Sequence, residues 1–351
     1  MDYLRAAVTR AVAIETLVVL VVTGVIAIII TWPVAANFGT IITGPPGNDQ
    51  LGYQQEFWFA ANHGLALFRD GFHTLWGAPF GGVVPALPNL TLAATLIPAA
   101  ILTKLFGSIV AYNIMTLAGL ALTGAAMYLL CRWIGLGIGP ASWAGLAYMV
   151  MPYHLLAAQS FVTLVPYWCF PLLLMALLAW VRKPTWANGI STVLAVILAT
   201  ITFPYFLVMA LLMVLVAIVV SYIRRGRADG WARALAAPAI LGGALIALVL
   251  VPLRVIAAIN PATEGQSRSL DEVTNLGPTL SEFVIPPRNS GFFAGFDGTH
   301  WYGVGSVGGE RLVYIGAAAL ILLAVGLVAG IIWGHSLPPL QRALILSAPF
   351  M

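Results

Sequence analysis

From Leu17 to Ala36 the chain carries no charged side chain, and stretches of that kind recur along most of its length. About 20 apolar residues cross ~30 Å of hydrocarbon as a helix. An irregular segment cannot do so, because its N–H and C=O groups would go unpaired in lipid. Spans are drawn over 14–36, 110–131, 140–157, 162–181, 187–203, 205–223, 232–253 and 312–333. Only 8% of the residues are charged, against roughly 25% in a soluble domain. The expectation is an all-α integral membrane protein, a polytopic helical bundle, with 1–351 forming a single transmembrane domain. Arg5 and Arg10 precede the first apolar run as in a secretory signal. The run exceeds the ~7–15 residues of a signal core and Val34-Ala35-Ala36 is a poor cleavage site, so it reads as a retained span.

One further apolar segment, Asn89 to Phe106, nearly reaches spanning length, and whether it crosses decides the side of everything after it. Cytoplasmic turns collect Lys and Arg. If 89–106 stays on the outer face and the N-terminus is cytoplasmic, 10 of the 16 Lys and Arg residues lie inside, including Arg182-Lys183 and Arg224-Arg225-Gly226-Arg227. If it crosses, both of those short basic turns are exported and only 7 of the 16 remain inside. The first arrangement is preferred. Pro88, Pro98 and Lys104 then suit an interfacial or re-entrant helix. It places 9 of the 12 acids outside, in two segments of about 37–109 and 254–311. The net charge of +4 reads as an orientation signal, with no nucleic-acid partner. Cys131 and Cys169 both fall in apolar segments, so neither a disulfide framework nor a thiolate metal site is expected. The last apolar stretch, Leu337 to Met351, is short for a span and ends without a cap, so the membrane domain is expected to continue beyond 351.

The outer segments hold the chemistry. Gly44-Pro45-Pro46-Gly47-Asn48-Asp49-Gln50 is a turn-rich run at the mouth of the first span, followed by Tyr53-Gln54-Gln55-Glu56-Phe57-Trp58 on an amphipathic stretch, 51–68. Asp49 in such a turn can take a proton from an acceptor hydroxyl. It can also hold a divalent cation, Mg²⁺ or Mn²⁺, which wants oxygen ligands such as Asp49, Gln50 or Glu56 with water. Asn-Asp is equally a turn pair whose side chains bond their own backbone. His63, with Asn62 and His73, can bind phosphate or serve as a base, or sit at the interface among waters. His154 and Tyr205 lie at the outer ends of spans, as cavity lining or as interface anchors. Arg254, Arg268, Arg288 and Arg311 can grip a phosphate bidentately, or pair with Asp271, Glu272 and Glu310. The second outer segment carries Asp297-Gly298-Thr299-His300-Trp301-Tyr302 and reads as an ordered loop covering a substrate, with His300 among its contacts. A P-loop, a Gly-x-Gly-x-x-Gly turn and a Gly-x-Ser-x-Gly elbow are all missing. No drawn span has a charge at its middle, which weakens an ion-coupled transporter.

In order along the chain stand Gly47-Asn48-Asp49-Gln50, Gln55-Glu56-Phe57-Trp58, Trp76-Gly77-Ala78-Pro79-Phe80-Gly81-Gly82 and Leu87-Pro88-Asn89-Leu90. Tyr112-Asn113, Met127-Tyr128-Leu129-Leu130-Cys131-Arg132, Pro286-Pro287 and Tyr314-Ile315-Gly316 follow. Taken together these resemble the polytopic membrane glycosyltransferases of the C superfamily (GT-C-like), closest to the bacterial YfhO-like membrane proteins. The resemblance implies a bundle whose large first extracytoplasmic loop carries interfacial helices. It implies an inverting transfer of a sugar from a polyprenyl-phosphate-linked donor to a glycan, glycolipid or protein acceptor, at the outer face of the bacterial plasma membrane. It also implies that the acid of the first outer loop, here Asp49, is the base or metal contact. Related enzymes often pair that acid with a neighbouring one, whereas Gln50 follows Asp49. The other reading is a non-catalytic membrane protein, either a lipid-carrier transporter or a scaffold of cell-envelope assembly.

Overall fold

The computed structural model describes residues 2–44, 49–69, 71–76, 79–84, 89–183 and 185–225, with 320, 324 and 328. The spans expected over 232–253 and 312–333 and the outer segment 254–311 fall almost wholly outside the described residues. Two compact units divide the chain, Met1–Leu146 with Ala157–Pro261 and Ala147–Leu156 with Ala262–Met351. The described chain is mostly helical. Three stretches are long and apolar enough to cross a membrane, Ala11–Ile30, Ser108–Trp133 and Val162–Arg182.

In the first unit, α1 (Asp2–Ile30) packs along α4 (Ser108–Trp133). Their polar contacts run in opposite order. The Thr23 hydroxyl donates to the Ala121 carbonyl at 3.0 Å, while Glu15 Oε2 accepts from Arg132 Nε and from the Tyr128 hydroxyl, both at 2.9 Å. Asn113, near the start of α4, donates its Nδ2 to the Phe38 and Ile41 carbonyls. The helices are therefore antiparallel, and the segment between them returns to the end of the pair from which it left. An apolar helix that crossed once within that segment would have made α1 and α4 parallel.

The intervening segment builds α2 (Gln50–His63), a two-stranded hairpin and α3 (Ala93–Phe106). The hairpin pairs β1 (Gly71–His73) with β2 (Gly82–Val84) in the register Phe72 to Val83. It is a local departure from the all-helical expectation. Gly107, at φ 87°, ends α3 and opens α4, a conformation open to glycine without strain. Phe57, Phe59, Leu67, Leu96, Tyr112 and Val162 form the core beneath this segment. Ile97, Ile101 and Leu105 stay exposed on α3, one turn apart, which gives that helix an apolar outer stripe.

The first span ends earlier than drawn, at Ile30 rather than 36, and a short 3₁₀ turn, Val34–Asn37, follows Pro33. The span drawn over 140–157 is two helices, α5 (Ile138–Met149) and α6 (Pro152–Ser160). Pro152 offers no N–H to continue the first and takes the opening position of the second. After α6 come a 3₁₀ turn, Val162–Leu164, then α7 (Cys169–Arg182), α8 (Trp186–Thr202) and α9 (Pro204–Arg225). Helices α7 to α9 pack on one another, and α7 also packs on α4. The two cysteines are free and buried. Glycines set the closest approaches. A Cβ on Gly145 would stand 2.6 Å from the Gly124 carbonyl, and one on Gly119 would stand 2.7 Å from the Val165 side chain.

Candidate functional site

Helix α2 opens on Asp49, whose side chain makes no capping hydrogen bond and stands exposed to solvent. Residues four and seven positions on, Tyr53 and Glu56, share its face. Thr163, from the 3₁₀ turn after α6, donates its hydroxyl to the Tyr53 oxygen at 3.0 Å. Burial, and then the charges of Glu56, Asp49 and Tyr205, push the Tyr53 phenol up to about 12 against the opposing Thr163 bond. The Glu56 carboxyl is largely enclosed, and its Oε2 has no hydrogen-bond partner. Burial, followed by the charge of Asp49, raises it to about 7. Two carboxylates on one helical face thus differ in environment, one open to water and the other enclosed.

Tyr205, one residue into α9, is exposed with its ring edge-on to Phe203 at 5.0 Å. Its phenol acts electrostatically on Tyr53, so Tyr205 stands near this end of α2. Asp49, Glu56 and Tyr205, singled out separately in the sequence, therefore meet in one neighbourhood. Tyr53 and Thr163 join them there. The spacing of Tyr53 between Asp49 and Glu56 was a legible signal for it. Thr163 had none, because it arrives from 110 residues away.

Gln50 points inward. It is 2% exposed, and its Nε2 donates to the Gln159 carbonyl at 2.6 Å and the Thr43 carbonyl at 3.3 Å. The Thr43 hydroxyl in turn donates to the Ala158 carbonyl at 2.8 Å. Ala158 and Gln159 are in the last turn of α6, where carbonyls lack intrahelical partners. Thr43 and Gln50, on either side of Asp49 in the chain, supply those partners. Gly44, at φ +93°, passes so close to Gln159 that a Cβ there would collide with its carbonyl oxygen. In this fold Gln50 clamps the Asp49 turn.

His63 lies on the same face of α2 as Glu56 but ~21 Å from Asp49 along the axis. It belongs to a separate ring cluster, 4.5 Å from His73 and 4.6 Å from Phe59, centroid to centroid. Trp76 closes against Phe59 at 5.0 Å. His73 Nδ1 accepts from the Leu75 N–H, so the neutral ring carries its proton on Nε2 and presents a donor there. In the second unit, His154 is fully buried, its Nδ1 donating to the Met149 carbonyl at 2.7 Å across the break between α5 and α6. Arg254, Arg288 and His300 lie outside the described residues.

Asp49, Gln50 and Glu56 do not converge as a cation site. Asp49 and Glu56 are two turns apart, ~10 Å along the axis, and Gln50 is committed inward. Among the described residues no three His, Cys, Asp or Glu side chains gather as metal ligands. The described positions of Asp49, Gln50 and Glu56 do not bring their oxygens around one cation. Comparison with protein-family models, with curated proteins and with solved structures finds no match.

Proposed function

We propose that the chain is an inverting membrane glycosyltransferase that moves a sugar from a polyprenyl-phosphate-linked donor to an acceptor hydroxyl. The acceptor is borne by a glycan, glycolipid or protein at the extracytoplasmic face of a bacterial plasma membrane. One observation carries the reading. An exposed carboxylate, Asp49, heads a helix packed beside the apolar spans, and an enclosed second carboxyl, Glu56, shares its face. Asp49 draws off the proton as the acceptor oxygen attacks the anomeric carbon opposite the phosphate. The bond from that carbon to the phosphate oxygen breaks, the lipid phosphate leaves as an anion, and configuration inverts. An outer arginine, Arg254 or Arg288, is the group suited to hold that phosphate.

The N-terminus is cytoplasmic in this reading, and 37–109 faces outward as one unit. The antiparallel α1 and α4 agree with a segment that does not cross. The apolar stripe of α3 beside Lys104 suits a helix lying in the interface. The test is Asp49→Asn and Asp49→Ala in a polyprenyl-phosphate-sugar turnover assay with the full chain in lipid. Loss of the carboxylate is expected to lower the rate by about 10²–10⁴, with normal insertion and purification. Wild-type turnover in either variant sinks the assignment. A wild-type chain that binds the carrier lipid and never transfers sugar indicates a lipid-carrier transporter.

A further inference from the structure

Glu56 is the titratable group that the transfer step above leaves unused, and its surroundings are those of a proton store. It sits one turn beyond Tyr53 and two turns beyond Asp49 on a single helical face. Its Oε2 is buried with no partner, an arrangement that disfavours the carboxylate unless a proton or a donor reaches it. Thr163 spends its hydroxyl proton on the Tyr53 oxygen, which leaves the phenol proton to be given away. The charged and titratable groups acting here are Asp49 and Tyr53 on the same helix, Tyr205 on α9, and Tyr112 on α4, which interacts with Tyr53 and Asp49. Among the described residues no Lys, Arg or His charge acts on Glu56.

We propose that Glu56 is the terminal proton acceptor of the transfer reaction, fed from Asp49 through the Tyr53 hydroxyl. The inference rests on the glycosyl-transfer reading. When the acceptor oxygen bonds to the anomeric carbon, its proton passes to the Asp49 carboxylate. Tyr53 then takes a proton from Asp49 and gives its own to Glu56, so Asp49 is again a carboxylate and Glu56 a neutral acid. Water later removes the proton from Glu56 and closes the cycle. Enclosure raises Glu56 to about 7, where a group both takes and releases a proton readily at neutral pH. Two carboxyls whose environments differ in this way divide such work between them.

The experiment uses the full chain in lipid nanodiscs and two readouts. Difference infrared spectroscopy between pH 5 and 9 is expected to show a protonated carboxyl band that titrates near neutrality. The band is lost in Glu56→Gln and kept in Tyr53→Phe, and its midpoint falls in Asp49→Asn. Steady-state transfer by Glu56→Gln is expected to lose kcat by about 10–100-fold, with KM for the donor unchanged and the neutral limb of the pH–rate profile gone. Tyr53→Phe is expected to lose kcat comparably. A titrating band that survives in Glu56→Gln overturns the role of Glu56, as does a wild-type pH–rate profile in that variant. Wild-type kcat in Tyr53→Phe overturns the relay. A wild-type chain with the band but no transfer overturns the glycosyl-transfer reading and the role together. Intact transfer without the band overturns the role of Glu56 alone.

Discussion

Replacing Gln50 with Leu tests whether the Asp49 turn is held from beneath. The substitution keeps the bulk of a side chain that is 2% exposed and removes both amide bonds, to the Gln159 carbonyl at 2.6 Å and to the Thr43 carbonyl at 3.3 Å. A buried carbonyl left without a donor costs about 1–3 kcal/mol. Gln159 is exposed at its surface and water reaches that side, so its share is near 1 kcal/mol. Thr43 is buried and its bond is long, which sets its share at about 1–2 kcal/mol. The sum is about 2–3 kcal/mol, or roughly 30–150-fold in a local opening equilibrium. Hydrogen exchange reads it at two amides, Tyr53 N–H bonded to the Asp49 carbonyl and Phe161 N–H bonded to the Ala157 carbonyl. Both are expected to lose protection, while amides inside α4 keep theirs. Gln50→Glu, which retains shape without donors, is expected to behave the same way. Unchanged protection at Tyr53 and Phe161 in both variants would refute the clamp.

The Glu56 carboxyl is raised from 4.5 to about 7, so the folded state binds more protons than the unfolded chain across that window. Its contribution is greatest below the unfolded value and is lost as pH rises through about 7. The wild type is expected to lose roughly 3 kcal/mol from this source between those limits, and Glu56→Gln to lose none of it, in detergent unfolding followed against pH. Gly145→Ala drives a methyl against the Gly124 carbonyl and is expected to destabilise the first unit by about 1–3 kcal/mol, read as a lower unfolding midpoint. Arg132→Glu sets two carboxylates together at the α1–α4 contact and is expected to lower the folded yield in lipid. The exchange of both, Glu15→Arg with Arg132→Glu, is expected to recover it.

Legibility in the sequence followed the range of each interaction. Long uncharged runs foretold the bounds of α4, α8 and α9 to within about two residues, and of these α4 is long and apolar enough to cross a membrane. The basic turns argued for keeping 89–106 on one side, and the contacts of Thr23 and Glu15 set α1 and α4 antiparallel. The break at Pro152 was written in the chain but outvoted by the apolar window around it. Asp49, Tyr53 and Glu56 could be placed on one face by counting. Gln50 could not be read as a clamp, because its partner carbonyl is 109 residues away and a backbone oxygen has no signature in sequence. Thr163 was hidden for the same reason. The His63–His73 contact depends on the hairpin folding back on α2, which a handful of glycines and a short strand barely announce.

The antiparallel pairing of α1 with α4 also has a temporal side. Glu15 accepts from Arg132, 117 residues later in the chain. At synthesis rates of ~5–20 residues per second, α1 waits for its partner for about 6–23 s. During that interval its carboxylate lacks the Arg132 guanidinium, and the Thr23 hydroxyl has only its own helix to bond. A newly made α1 is therefore a client for whatever shelters lone helices during membrane insertion. Nascent chains halted before Arg132 should crosslink to such a factor from α1, and chains halted beyond it should crosslink far less.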